Sequence, residues 1–211
     1  MSPARQDNMY SSSNFIEKEK VVLMQFMRQH DFIVLCGTDA GGCPVATQVP
    51  VLIREEGEEL YLEGHLMRNT DHHKAFVHNE NVLAMFVGPH TYVSASWYEN
   101  PKQASTWNYM TVHAIGKIRF GSEEELLNVL QKTTDHYEGT SVSYQNLEKD
   151  YIDKLKPAIV HFEIEVTSLK HVFKLSQNRS VADQQAIIAH LEQGDELAQI
   201  VAKEMKSRLP G

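Results

Sequence analysis

The 211-residue sequence predicts a mostly β protein, in which six antiparallel strands form a closed or half-closed barrel with helices at its periphery. Two observations favour this fold class. Six segments show the apolar runs or the apolar–polar alternation that are typical of strands. The helical segments between them are few and short, which disfavours a parallel sheet, because parallel strands are joined by regular crossover helices. We therefore predict a single domain over residues 1–211, with an N-terminal helix and C-terminal helices.

The predicted strands alternate with turns that are rich in glycine, proline or charge. The strands cover residues 32–36, 44–53, 60–64, 82–87, 106–120 and 159–173. Pro50 has no backbone N–H, so we expect the second strand to be bulged or locally unpaired at that position. Helical spacing of apolar residues predicts helices over residues 16–30, 71–79, 147–155, 181–191 and 196–205. Ser122, with Glu125 three residues later, forms a capping box that begins a further helix.

Composition and charge argue against several classes of protein. The formal net charge of -8 disfavours direct binding of nucleic acid, which depends on a basic surface. No apolar run approaches the roughly 20 residues of a membrane span, and the N-terminus lacks the apolar core of a secretory signal. We therefore expect a cytoplasmic protein that does not enter a membrane. Cys36 and Cys43 are expected to be buried free thiols, with a disulfide across their hairpin as the alternative.

An aromatic segment over residues 86–116 contains both tryptophans, Trp97 and Trp107. It alternates aromatic and polar residues, whereas ordinary core strands consist mostly of Val, Ile and Leu. This pattern suits a surface that holds a flat, partly polar ligand. Aromatic residues are also common in strands for packing reasons, so a plain sheet core with a structured loop is the alternative.

Residues 64–74, GHLMRNTDHHK, join a strand end to a helix start. Backbone N–H groups at a helix N-terminus attract anions, and Arg68, Lys74 and the histidines add positive donors. The segment therefore suits a phosphate, although a solvated surface turn has the same composition. A second polar run, FKLSQNR over residues 173–179, follows the last strand and has many donors and acceptors.

Six histidines lie within fifty residues but lack the paired spacing of metal ligands, so we predict no metal site. They are His65, His72, His73, His78, His90 and His113. No GxSxG elbow, Walker loop or GxGxxG motif occurs, and catalytic residues cannot be assigned from motifs.

Taken in order, several segments resemble the PaiB-type FMN-binding negative transcriptional regulators. They are Met9-Tyr10, ATQVP at 46–50, GHLMR at 64–68, FVGPH at 86–90, SWY at 96–98, TWNY at 106–109 and KLSQNR at 174–179. The resemblance implies a flavin-binding split barrel related to the pyridoxamine-phosphate oxidases. It also implies a homodimer, with FMN bound at the interface between the subunits.

The resemblance further implies which residues contact the cofactor. The FMN phosphate would lie against His65, Arg68, Asn69 and Lys74. The flavin ring would lie beside Thr47, Gln48 and Val49, with Trp107 and Asn108 lining the same cleft. Lys174, Ser176, Gln177 and Asn178 would close the site, from this subunit or from its partner. Two departures fall among these positions: Gln48 replaces a histidine, and Asn69 is followed by Thr70-Asp71.

Three functions fit this sequence. The first is a flavin-binding regulator of transcription, although the acidic balance and the absence of a helix-turn-helix pattern disfavour direct contact with DNA. The second is an FMN-dependent oxidoreductase, in which His65 or His113 could serve as an acid or base. The third is a non-catalytic module for another planar or phosphorylated ligand.

Overall fold

The computed structural model describes residues 13–100, 102–139, 142–146 and 149–209. Met9-Tyr10, at the start of the family resemblance, and residues 147–148 of the predicted 147–155 helix lie outside these ranges.

Within the described residues, no helix is both long enough and apolar enough to cross a membrane. The same residues contain no group of three or more His, Cys, Asp or Glu side chains that could hold a metal ion. Cys36 and Cys43 are free thiols, and Cys43 is exposed.

In the described part of the chain, seven strands form one sheet in the order β2-β1-β5-β6-β7-β4-β3. They are β1 (Phe32–Thr38), β2 (Pro44–Pro50), β3 (Leu52–Glu56), β4 (Glu59–Met67), β5 (Asn81–Val93), β6 (Thr106–Phe120) and β7 (Ile159–Lys174). The helices are α1 (Lys20–Gln29), α2 (Asp71–His78), α3 (Glu123–Glu138), α4 (Val142–Gln145), α5 (Lys149–Leu155), α6 (Val181–Leu191) and α7 (Glu196–Lys206). The mostly antiparallel sheet with peripheral helices confirms the predicted fold class.

The predicted number of six strands is wrong, because the predicted strand over residues 44–53 is two strands. The backbone N–H of Val51 leaves the ladder and donates to the carbonyl of Asp31 at 2.9 Å. Before this break β2 pairs with β1, and after it β3 pairs with β4. β2 and β3 therefore lie at the two ends of the strand order, so the sheet has two edges and is not a closed ring.

Several other boundaries differ from the sequence prediction, and two differ most. The first helix begins at Lys20 rather than at residue 16. The fourth predicted strand continues beyond residue 87 to Val93 and so includes part of the aromatic segment. Strand β6 and helix α6 have the predicted bounds.

The chain divides into two compact units, which are described separately. One unit contains residues 28–86 and 113–169, and its core includes Leu35, Phe86 and Phe162. The other contains residues 1–27, 87–112 and 170–211. In its core the rings of Phe26 and Phe173 lie 5.0 Å apart. Strands β5, β6 and β7 contribute residues to both units.

Candidate functional site

A tight turn joins β4 to α2. Thr70 caps the helix: its hydroxyl accepts the backbone N–H of His73 at 3.2 Å and donates to the carbonyl of Met67 at 3.1 Å. Asn69 has φ 62°, in the left-handed region that asparagine adopts more readily than most residues. This turn places Arg68 and the first turn of α2 next to each other. We refer to Arg68, Asn69, His72, His73 and Lys74 as the α2 cluster.

Positive groups converge within the α2 cluster. The pKa of the His73 imidazole is lowered, first by burial and then by the nearby charges of Arg68, His72 and Lys74. Arg68 donates from Nε to the carbonyl of Ile159 at 2.9 Å, which anchors its side chain. Within the described residues, neither Arg68 nor Lys74 pairs with a carboxylate. In an acidic chain, two cations without acidic partners are well suited to bind an anionic ligand.

Arg68 also lines a cleft of about 400 Å³. The other lining residues are Glu123, Leu126, Asp153, Lys156 and Pro157. Lys156 already pairs with Glu123 at 2.6 Å and Asp153 at 2.7 Å. Arg68 is therefore the cation on this wall that has no acidic partner among the described residues.

Asp71, one of the residues that depart from the family pattern, contacts His72 of the α2 cluster. Its carboxylate accepts the backbone N–H of His72 at 2.7 Å and lies 3.1 Å from His72 Nδ1. The hydrogen bond from the His72 N–H is the main cause of the lowered pKa of Asp71. The side chain is otherwise open to solvent.

The family resemblance implies that His65 contacts the phosphate, and His65 lies on β4, three residues before Arg68 of this cluster. It pairs with His161 across the β4–β7 ladder, and its Nδ1 is buried without a hydrogen-bond partner. Burial, followed by the charge of His161, lowers the pKa of His65. The electrostatic neighbour of His65 is thus His161 rather than Arg68 or Lys74.

The three predicted flavin-ring residues on β2 do not share a face. Val49 pairs with Ile33 of β1 and is buried, and Thr47 pairs with Leu35 on the same face. Gln48, between them, pairs with Val34 and is exposed on the opposite face. The amide of Gln48 is therefore the side chain of this trio that is open to a ligand.

Trp107 and Asn108 point to opposite faces of β6, as neighbouring strand residues do. Trp107 is 53% exposed, with Tyr92 in edge contact at 5.9 Å and His90 at 6.1 Å. Asn108 has no exposed surface. Trp107 lines a shallow apolar groove of about 280 Å³, which we call the aromatic groove. Its other lining residues are Val87, Gly88, His90, Tyr109, Met110 and Thr111.

Residues 174–179 form a turn that is fixed mainly by its own side chains and by β6. Lys174 donates to the hydroxyl of Thr106, and Ser176 donates to Asn108 Oδ1 at 3.0 Å. The side-chain amide of Gln177 closes the turn, since it accepts the N–H of Leu175 and donates to the carbonyl of Phe173. Asn178 is exposed. Of the four predicted contacts here, Lys174, Ser176 and Gln177 therefore have hydrogen-bond partners within the chain.

Sequence reasoning missed the contribution of Arg179 to this turn. Its guanidinium donates to Gln103 Oε1 and lies 4.7 Å from the centre of the Tyr98 ring. Together with burial, the charge of Arg179 lowers the pKa of Lys174, burial being the larger cause. The basic character of Arg179, at the end of KLSQNR, could have indicated a polar contact, but its partners lie more than seventy residues earlier in the chain and could not be identified from the sequence.

Comparisons with known proteins show the family of this chain. The family described as "Putative FMN-binding domain" matches residues 9–168. The "Protease synthase and sporulation protein PAI 2" of Bacillus subtilis (strain 168) is 28% identical over 209 residues, covering 95% of this chain and all of the relative.

Two solved structures share the fold. The flavocytochrome Anf3 from Azotobacter vinelandii has a TM-score of 0.55 at 13% identity, covering 74% of this chain and 68% of that protein. The FAD and heme binding protein from Mycobacterium smegmatis has a TM-score of 0.54 at 13% identity, covering 75% and 72%.

Proposed function

The chain belongs to the FMN-binding domain family, with FMN as its cofactor, and we propose that the phosphate of this FMN binds to the α2 cluster. The proposal rests on the turn that begins α2, in which Thr70 caps the helix and the Asn69 N–H donates to His73 Nδ1 at 3.2 Å, so that Arg68 and the first turn of α2 lie side by side. A phosphate needs charge-assisted donors, and a chain of net charge -8 offers few sites of positive potential.

The side chains of the α2 cluster are of the types that bind phosphate groups. Arg68 can donate two parallel hydrogen bonds, Lys74 adds a mobile ammonium group, and the N-terminus of α2 adds a partial positive charge.

When bound, FMN supplies one- and two-electron redox chemistry, while the protein binds and orients it. On the exposed face of β2, the Gln48 amide can donate to or accept from the polar edge of a flavin ring. We propose that contacts from Lys174 of the partner subunit and Asn178 of the partner subunit complete the site.

We also propose that the protein is a homodimer with FMN at the subunit interface. The aromatic groove supports this proposal, because Val87 and Trp107, which line it from neighbouring strands, are each 53% exposed. Apolar patches of this kind commonly mark interaction sites.

We propose a role in transcription on the basis of the resemblance to the PaiB-type regulators; the relative from Bacillus subtilis is named for protease synthase and sporulation. We propose that such a role would not depend on a large basic surface that grips DNA, because acidic residues outnumber basic ones by 28 to 20.

The α2 cluster is tested by the double substitution Arg68→Ala/Lys74→Ala. Charge-assisted hydrogen bonds contribute about 1.5–3 kcal/mol each, so the FMN dissociation constant should rise by about 100-fold or more. The measurement is a titration of flavin fluorescence with FMN and with riboflavin, which lacks the phosphate. The parent protein should prefer FMN, and the double variant should lose this preference.

Lys117→Ala/Lys206→Ala is the matched control, since it also removes two exposed cations. Each of these lysines pairs with a carboxylate, Glu80 or Glu192, and neither belongs to the α2 cluster. The control should retain both FMN affinity and the preference over riboflavin. An Arg68→Ala/Lys74→Ala protein that still prefers FMN would place the phosphate elsewhere.

A further inference from the structure

Asn108 and Ser176 form a polar pair inside the second unit. Asn108 has no exposed surface, and Ser176 is 3% exposed. Ser176 Oγ donates to Asn108 Oδ1 at 3.0 Å, and Asn108 Nδ2 donates to the sulfur of Met205 at 3.3 Å. These hydrogen bonds offset the cost of burying two polar side chains. An apolar pair would avoid that cost altogether, so the polar pair has a structural or functional reason.

The backbone of Ser176 supplies that reason. Its φ of 63° lies in the left-handed region, where a residue with a Cβ is strained. Such a conformation persists only when the surroundings hold it in place. The hydrogen bond to Asn108 holds the side chain, and the Arg179 N–H donates to the Ser176 carbonyl at 3.0 Å.

The conformation of Ser176 determines the course of the turn between Lys174 and Asn178. Asn108 contacts this turn through Ser176, yet its own side chain has no surface that a ligand could reach. It therefore differs from Trp107, its exposed neighbour on β6.

We propose that Asn108 is a positioning residue, which holds the 174–179 turn in its FMN-binding geometry through Ser176 and does not touch the flavin. This inference rests on the proposed function, because it takes the turn to contact FMN through Lys174 and Asn178. It assigns to Asn108 an indirect role in place of the cleft-lining role that the sequence predicts.

The test uses two substitutions that both remove the Ser176 hydroxyl. Alanine remains strained at φ 63°, whereas glycine adopts this conformation without penalty. Ser176→Ala should raise the FMN dissociation constant about tenfold, because a turn that adopts the binding geometry in only about one molecule in ten lowers the apparent affinity tenfold. Ser176→Gly should stay within about threefold of the parent protein, because the turn keeps its course.

The effect of Asn108→Ala on the FMN dissociation constant is then measured in the parent protein and in the Ser176→Gly variant. Alone it should weaken FMN binding about tenfold, and combined with Ser176→Gly it should cause little further loss, because coupled residues are not additive. An equal loss in the parent and Ser176→Gly backgrounds would show that Asn108 acts on FMN without Ser176 and would overturn the inference. Equal weakening by Ser176→Ala and Ser176→Gly would overturn it as well.

Hydrogen exchange in the FMN-free protein provides a second readout. The N–H groups of Leu175 and Arg179 are bonded within the turn at 2.7 and 3.0 Å. Their exchange should accelerate in Asn108→Ala and return toward the parent rate in Asn108→Ala/Ser176→Gly. A parent protein that takes up no FMN would refute the proposed function, whereas unchanged exchange in Asn108→Ala would refute the positioning role.

Discussion

At the scale of single residues, His65 and His161 form an unusual neutral pair. They face each other across β4 and β7, and each has a buried Nδ1 without a hydrogen-bond partner. Gly121 leaves room for the His161 ring: an added Cβ would overlap His161 Nδ1 and lie 2.7 Å from Glu125 Oε2. Burial is the main cause of the lowered pKa of both imidazoles. For His161, Glu63, Glu125 and Glu163 oppose the shift and Arg119 adds to it.

These lowered pKa values predict loss of stability in mild acid. The unfolded chain takes up protons on these imidazoles near pH 6.5, while the folded chain keeps them neutral to lower pH. The stability of the folded chain is therefore not reduced by these imidazoles above pH 6.5, and it declines as the pH falls toward their folded-state pKa values. His161→Gln removes one of these titrations, so its melting temperature should fall less than that of the parent between pH 7.5 and 5.5.

The matched control for this prediction is His78→Gln, which replaces an exposed histidine in the last turn of α2. Its melting temperature should follow the pH dependence of the parent protein. If His161→Gln shows the same acid sensitivity as the parent, then His161 is not neutral in the folded chain.

At the residue level, prediction from sequence missed both the faces and the burial of two neighbouring residues. The family resemblance implies that Trp107 and Asn108 line the same cleft, whereas neighbouring residues of a strand point to opposite faces. The burial of Asn108 could not be predicted, because it depends on Ser176 and Met205, which lie 68 and 97 residues further along the chain. Similarly, His65 follows the family motif in sequence, yet its environment is set by His161 of another strand.

At the scale of elements, α3 shows how strongly local signals define helix ends. The predicted capping box is confirmed: Ser122 Oγ accepts the Glu125 N–H at 3.2 Å, and Glu125 accepts the Ser122 N–H at 2.7 Å. The helix ends at Gly139, whose φ of 69° suits glycine. Glu125 also pairs with Arg119 at 2.9 Å, and its pKa is lowered to about 2, mainly by the Ser122 N–H.

Ser122→Ala should therefore destabilise the unit that contains α3. Loss of an N-cap costs about 1 kcal/mol, because a backbone N–H at the helix start loses its acceptor. Urea denaturation should show this loss, and amide exchange in the first turn of α3 should accelerate. Ser122→Thr keeps a capping hydroxyl and should remain within about 0.5 kcal/mol of the parent. Equal stability of Ser122→Ala and the parent would mean that the capping box contributes nothing to the folded state.

Strand boundaries were less predictable than helix caps for a physical reason. Pro50 was predicted to be bulged or unpaired, yet it pairs with Phe32, and the break comes one residue later, where the Val51 N–H donates to the carbonyl of Asp31, twenty residues earlier. Sequence alone could not show that β2 and β3 pair with different strands at opposite ends of the sheet order. The seventh strand therefore follows from a long-range contact rather than from a local pattern.

At the scale of the whole molecule, the balance of charge and exposed apolar surface bears on assembly. The net charge of -8 opposes non-specific association. A specific interface therefore requires a local apolar surface, and the aromatic groove is such a surface. Val87 lies on it and is 53% exposed, while Val21 of α1, in the same unit, is 70% exposed but does not line the groove.

This contrast gives a direct test of the homodimer. Val87→Glu places a charge in the aromatic groove, and burying an unpaired carboxylate in an interface is strongly unfavourable. Light scattering after size exclusion should show a dimer for the parent and a monomer for Val87→Glu. Val21→Glu introduces the same charge on an exposed helix and should remain dimeric. A Val87→Glu protein that is still dimeric would move the interface away from the groove, and a monomeric parent protein would remove the homodimer from the proposal.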